Sequence, residues 1–322
     1  MRKAAKKESL YLSRAALLVL LLLGSGLLSP FTAKSAEVVY ACNGSNNIIV
    51  RFAPGGVNTV FASYGLNDPE ALAFDRSGDL YAANLGDGTI ERFTPQGVGS
   101  RFATFLNSPD ALAFDAVGNL YVASYFDSTI WRYSPTGTRS LFARIGLDNP
   151  TALAFDRSGN LLVANYAGNE GFGYLERFTP SGVGSLFNGT ALAHPVALAF
   201  DGAGNLYEGS ANNTVVRFAS NGAPSLFADY TTLHGLRALA ADSQDNLYAA
   251  CYYDSSIERY NPQGSASLLN SLGLDGPTAL AIQTIPEPAA GLLICVGLGT
   301  IAVVRRTHFQ PGCSSRAGGP DR

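Results

Sequence analysis

Several residue types are scarce in this chain of 322 residues, and each scarcity removes a class of function. Charged residues make up 15% of it, below the roughly 25% of an average soluble protein. Its lysines are Lys3, Lys6, Lys7 and Lys34, all near the N-terminus. With a formal net charge of -3 and no basic stripe, nucleic acid is not expected as a partner. There are three histidines, and no HExxH pair, phosphate loop or nucleophile elbow on which metal-peptidase, phosphoryl-transfer or serine-nucleophile chemistry could rest. The abundant features are glycine, at 35 residues, and a hydrophobic fraction of 47%. They suit an all-β body with many turns.

Both ends differ from the body. Arg2, Lys3, Lys6, Lys7 and Arg14 precede an apolar run, Ala15–Leu28, and then small residues up to Ala36. A basic segment, a short apolar segment and small residues near a cut describe a secretory signal peptide over 1–36; the alternative is an uncleaved anchor. Near the other end, Pro286-Glu287-Pro288 is followed by the uncharged stretch Ala289–Val304 and then by Arg305 and Arg306. An apolar helix that ends in arginines stops in a membrane with those arginines in the cytoplasm. The order of these parts over 284–306 resembles the PEP-CTERM tail of Gram-negative bacteria. The resemblance implies a transmembrane helix that holds the exported chain at the membrane. It also implies an exosortase-type processing enzyme as partner and delivery to the cell surface or extracellular space. A polar tail, 307–322, follows, where tails of that family usually stop at the arginines.

The body is one unit repeated. ALAFD occurs at 71–75, 111–115, 152–156 and 197–201, with ALAAD at 238–242. The closing Asp residues are 40, 41, 45 and 41 positions apart. Each copy leads into a GNLYVAN-like segment, then an IERFTP-like one, then an SLFA-like one, separated by turn residues. Four short strands in about 41 residues make a propeller blade. The small, apolar ALAF strand suits the crowded place nearest the axis. The first unit, from Val38, lacks an ALAF strand, and Gly276–Ile282 is an ALAF strand without followers. Together they complete a sixth blade. The expected fold over 37–283 is therefore an all-β, six-bladed propeller of four-stranded antiparallel blades, its ring closed by N- and C-terminal strands. The pattern resembles the NHL repeat and its relatives. That resemblance implies the fold, and it covers binding modules, lactonases and lyases alike.

In such a ring the residue just before each inner strand lies near the axial mouth. These residues are Glu70, Asp110, Thr151, Val196, Arg237 and Thr278. Glu70, Asp110, Thr151, Arg237 and Thr278 are the candidate ligand-binding residues. Glu70 and Asp110 stand where gluconolactonase-like propellers carry a metal-ligating Asn, which makes them the candidate metal ligands. Calcium would be their natural ion, but it takes about six oxygens and Asn67, Asn107, Asp148 and Asp275 would have to add to the set. No cofactor is expected. His194 and His234, with Arg237, are the candidates for acid–base chemistry. The repeated Asp75, Asp115, Asp156, Asp201 and Asp242 read as turn residues, because one site does not need five copies. Cys42 and Cys251, on second strands of adjacent blades, are a candidate disulfide if their Cα atoms lie within about 7 Å. Two functions follow: an exported, non-enzymatic propeller that binds a surface protein or exopolysaccharide, or a lactonase- or lyase-type enzyme working at the mouth.

Overall fold

The computed structural model describes residues 36–54, 57–166, 172–229 and 231–285. The expected signal peptide, PEP-CTERM motif, transmembrane helix and polar tail lie outside the described residues. Among those described, no helix is long and apolar enough to cross a membrane.

Among the described residues, twenty-four strands form six four-stranded antiparallel sheets. Blade 1 contains β1 (Ala36–Asn43), β2 (Ile48–Phe52) and β3 (Asn58–Ala62). Blade 2 is β4 (Pro69–Phe74), β5 (Leu80–Asn84), β6 (Thr89–Phe93) and β7 (Gly99–Ala103). Blade 3 is β8 (Pro109–Phe114), β9 (Leu120–Ser124), β10 (Thr129–Tyr133) and β11 (Arg139–Ala143). Blade 4 is β12 (Pro150–Phe155), β13 (Leu161–Asn165), β14 (Gly173–Phe178) and β15 (Gly184–Leu192). Blade 5 is β16 (Pro195–Phe200), β17 (Leu206–Ser210), β18 (Thr214–Phe218) and β19 (Pro224–Ala228). Blade 6 is β20 (Leu236–Ala241), β21 (Leu247–Cys251), β22 (Ser256–Tyr260) and β23 (Ala266–Asn270). The last strand, β24 (Pro277–Ile285), returns to pair with β1 and becomes the inner strand of blade 1. The expected composite blade is therefore present, and no sheet edge is left open at the seam.

Burial peaks at the second strand of each blade and falls toward the outer strand, while the inner strands are partly open to the axial channel. The second strands of blades 2 to 6 are buried at every position, because each is covered by a neighbouring blade on both faces. The outer strands are mostly exposed. Between blades, the tyrosine of a second strand packs edge-on between two phenylalanines. Tyr81 meets Phe102 of its own outer strand at 5.1 Å and Phe114 of the next inner strand at 5.0 Å. Tyr40 and Tyr121 repeat the arrangement. Edge-to-face pairs of this kind add about 0.5–1.5 kcal/mol each beyond burial.

The repeated aspartates act as turn residues. In Asp156, Oδ1 accepts the backbone N–H of Ser158 and Asn160, and Oδ2 accepts from the Asn160 side chain and Arg177. These bonds hold the Asp156 carboxyl below its ordinary range against the opposing effect of burial. The cysteine expectation is corrected: Cys42 and Cys251 are both free and buried. Cys42 packs with Leu72, Leu80 and Ala82 of blade 2, and Cys251 with Ala197, Tyr207 and Val215 of blade 5. They sit on opposite sides of the blade 1–blade 6 pair and point away from each other.

Candidate functional site

One backbone irregularity, repeated six times, builds the mouth. In every blade the inner and second strands slip register by one residue at the start of the inner strand. The extra residue is Glu70, Asp110, Thr151, Val196, Arg237 or Thr278. A bulge frees a side chain from the alternation of its strand and re-aims it. Here it turns six side chains toward the axis. All six line a cavity of about 330 Å³, with Leu85, Ser108, Tyr125, Phe126 and Tyr166 around its rim.

A second repeated device fixes the approach to the bulge. The residue two before the bulge is Asp68, Ser108, Asn149, His194, Gly235 or Gly276. All have positive φ, between 49° and 73°. That conformation is uncommon for non-glycine residues and favours Asn, Asp and Gly. The carbonyl of each accepts the backbone N–H of the residue after the second strand: Leu85, Tyr125, Tyr166, Ala211, Tyr252 and Gly44 respectively. The mouth loops are thus tied blade by blade, and the residue after the second strand is carried to the rim. In three of six blades that residue is a tyrosine. Sequence reasoning passed over these tyrosines; the signal was the position directly after the AS, AN or AC that ends the second strands of blades 3, 4 and 6.

Electrostatically the mouth is lopsided. Glu70 and Asp110, from adjacent blades, have no hydrogen-bond or ion-pair partner among the described residues. Burial pushes the Asp110 carboxyl up to about 7, with Arg237 opposing and Asp68 adding a little. Burial pushes Glu70 further, to about 8, and the Asp110 charge adds to it. The two acids are coupled, so the charge left when the pair loses its first proton holds the second. Across the ring in blade 6, the Arg237 guanidinium rests 5.3 Å from the Tyr252 ring centre. It forms an ion pair with neither acid, although its charge acts on both and all three side chains line the same cavity.

Other candidates have structural duties. The Thr151 hydroxyl donates to the Pro195 carbonyl at 2.7 Å, and the Thr278 hydroxyl to the Pro69 carbonyl at 2.6 Å. Each stitches its blade to the next, so these threonines line the mouth while their protons are engaged elsewhere. His194 and His234 do not come together with Arg237. His194 occupies the positive-φ turn, stacks on Tyr166 at 4.3 Å and places Nδ1 3.1 Å from the Tyr166 carbonyl. His234 Nδ1 lies 2.6 Å from Asp254 Oδ2. In blade 3 the same tie between loops is made by Asn107 and Asp127, also at 2.6 Å. The acid–base trio read from the sequence is therefore not assembled. Among the described residues, no three of His, Cys, Asp and Glu are placed to hold a metal ion. Glu70 and Asp110 offer two carboxyls to a cation.

No family model matches the chain, and neither does any curated protein. Solved structures do. The chain is similar to a structure from a nidogen/laminin complex, with a TM-score of 0.68 and 18% identity over 77% of this chain and 98% of that one. It is similar to a gluconolactonase from Xanthomonas campestris, at 0.61 and 17% over 77% and 95%. It is also similar to virginiamycin B lyase from Staphylococcus aureus, at 0.59 and 17% over 78% and 88%. The likeness is one of fold. A laminin complex, a lactonase and a lyase share this ring, so the fold is compatible with both functions.

Proposed function

We propose that this chain is an exported, non-enzymatic binding module of the cell surface or extracellular matrix, and that its mouth takes a sugar unit of an exopolysaccharide. The observation that carries this reading is the cavity of about 330 Å³, lined together by the unpaired carboxyls of Glu70 and Asp110 and by the aromatic rings of Tyr125, Phe126 and Tyr166. Its size is that of a small-molecule pocket, not of a protein face. Hydroxyl groups of a sugar donate to Glu70 and Asp110 and accept from Arg237, while Tyr125, Phe126 and Tyr166 offer flat apolar surface. In this reading the leader exports the chain. The Pro286-Glu287-Pro288 tail holds it at the membrane through its apolar helix until an exosortase-type enzyme acts.

Titration with neutral, acidic and amino-sugar polysaccharides tests the reading. Saturable binding that Glu70→Gln with Asp110→Asn weakens at least tenfold supports it. Binding that this double substitution leaves untouched overturns it.

One observation favours an enzyme instead: two carboxyls that release protons close to neutrality suit general acid–base work, and such groups concentrate in active sites. Lactone hydrolysis or elimination that follows a pH profile near 7 and vanishes with the same double substitution would replace the binding reading.

A further inference from the structure

Two grooves on the outer wall of the propeller are built alike around a glutamate and differ in the residue that faces it. One lies between blades 1 and 2, has a volume of about 450 Å³ and is lined by Phe61, Tyr64, Gly65, Glu91 and Phe93. The other lies between blades 3 and 4, has a volume of about 360 Å³ and is lined at matching positions by Phe142, Ile145, Gly146, Glu176 and Phe178. Both carry a glutamate of the third strand aimed into an apolar recess. In both, a positive-φ glycine of the preceding blade abuts that glutamate; a Cβ on Gly65 or Gly146 would lie 3.0 Å from the carboxyl group. In both, the outer strand opens with a glycine, Gly99 or Gly184. A Cβ there would come within 2.9 Å of Phe93, or of Phe178 and the Glu176 carboxylate.

The difference lies opposite the glutamate. In blade 2, Arg101 pairs with Glu91 across β6 and β7, and its Nε donates to Glu91 Oε1. In blade 4 the residue paired with Glu176 is Leu186, itself 56% exposed. Glu176 is only 8% exposed and has no hydrogen-bond or ion-pair partner among the described residues. Arg144 stands at the rim without forming an ion pair to it. Burial raises the Glu176 carboxyl above its ordinary range, as expected for an acid that lacks its cation. Glu258 holds the same register in blade 6 and also faces a leucine, Leu268, but its outer strand opens with Ala266 and its carboxyl is more exposed.

We propose that the groove between blades 3 and 4 is a binding site for an arginine side chain of a partner protein, its guanidinium held by Glu176 and its stem laid along Phe142, Ile145 and Phe178. Blade 2 shows the chemistry: there the chain supplies its own guanidinium to the same carboxylate. A guanidinium suits this place because it is weakly hydrated, donates in a fork that matches a carboxylate and carries an apolar stem. The site is remote from the axial mouth and does not rest on the function proposed for it.

The test uses acetyl-Ser-Arg-Phe-Ala amide, which copies residues 100–103, titrated calorimetrically to about 10 mM so that a millimolar complex is detected. Wild type is expected to bind one equivalent and to ignore the citrulline analogue, which keeps the shape without the charge. Glu176→Gln should weaken binding at least tenfold, and Leu186→Arg, which rebuilds the internal pair, should abolish it. Arg101→Leu uncovers the second groove and should raise the stoichiometry to two. Absence of binding by folded wild type would overturn the proposal, as would equal affinity for the citrulline peptide or binding indifferent to Glu176→Gln and Leu186→Arg. A stoichiometry of one in folded Arg101→Leu would show that the two grooves are not equivalent and would overturn it too.

Discussion

Replacing Glu70 with glutamine perturbs the mouth at its most strained electrostatic point. The Glu70 carboxyl is held at about 8 against an ordinary 4.5, chiefly by burial and then by the neighbouring Asp110 charge. An acid whose folded pKa is raised favours unfolding once the pH passes its unfolded value, because the unfolded chain releases the proton more readily. The cost is absent below that value, grows across the interval and is complete above the folded pKa. Some three and a half pH units at 1.36 kcal/mol each set a ceiling of about 5 kcal/mol. Water entering the open mouth and side-chain relaxation should bring the realised cost to about 2–3 kcal/mol. Glu70→Gln keeps the shape and removes the charge. In urea denaturation it should match wild type near pH 4 and exceed it by about 2–3 kcal/mol near pH 8.5. Asp110→Asn should give part of the same gain, and the double variant should give less than the sum, because each acid feels the other. Parallel stability curves for wild type and Glu70→Gln across this range would refute the reasoning, since they would mean that the carboxyl ionises as freely in the ring as in the unfolded chain.

Other expectations concern the frame. Glu208 is fully buried on β17 at a position where β9 and β13 carry Val122 and Val163; its carboxyl is pushed up to about 7 by burial, with the Ser210 bond opposing. Glu208→Val should therefore be close to neutral near pH 4 and stabilising by about 1–3 kcal/mol near pH 8.5, measured by the same denaturation series. Asp201 is 7% exposed and accepts from the Ala203 and Asn205 backbone, the Asn205 side chain and the Tyr207 hydroxyl. Asp201→Ala leaves those buried donors unsatisfied and should cost about 2–4 kcal/mol, readable as a lower urea midpoint at unchanged slope. Ending the chain after Asp275 removes β24, strips blade 1 of its inner strand and exposes the edge of β1; loss of a single cooperative transition in calorimetry is the expected result. His194→Ala and His234→Ala should leave polysaccharide binding at the mouth within about twofold, because neither ring lines the cavity.

Much of the frame was legible because a repeat states the same local physics six times. ALAF runs read as inner strands, since small apolar side chains fit the crowded axis. The Asp before each Gly-Asn turn read as structural, and its bonds to the turn backbone agree. The missing inner strand at one end and the surplus one at the other gave the blade count. Even the six residues of the mouth could be placed from position alone. What those residues do there was not legible. The threonines looked like ligand donors until their protons were found in neighbouring carbonyls. The two histidines looked like a pair, yet they sit one position apart in the repeat, one in a left-handed turn and one tied to a loop aspartate.

By itself, then, the sequence determined the number of blades, the strand that closes the ring and the ring of residues at its mouth. These follow from local periodicity and from complementary ends, which a linear reading contains. Only the tertiary structure decided direction. It showed that a bulge turns Glu70, Asp110 and Arg237 inward, that Cys42 and Cys251 look away from each other, and that Glu91 has its arginine while Glu176 has none. Those facts depend on which face of a blade meets which neighbour. A one-residue slip or a single change of partner residue settles each of them, and neither leaves a mark in composition or spacing.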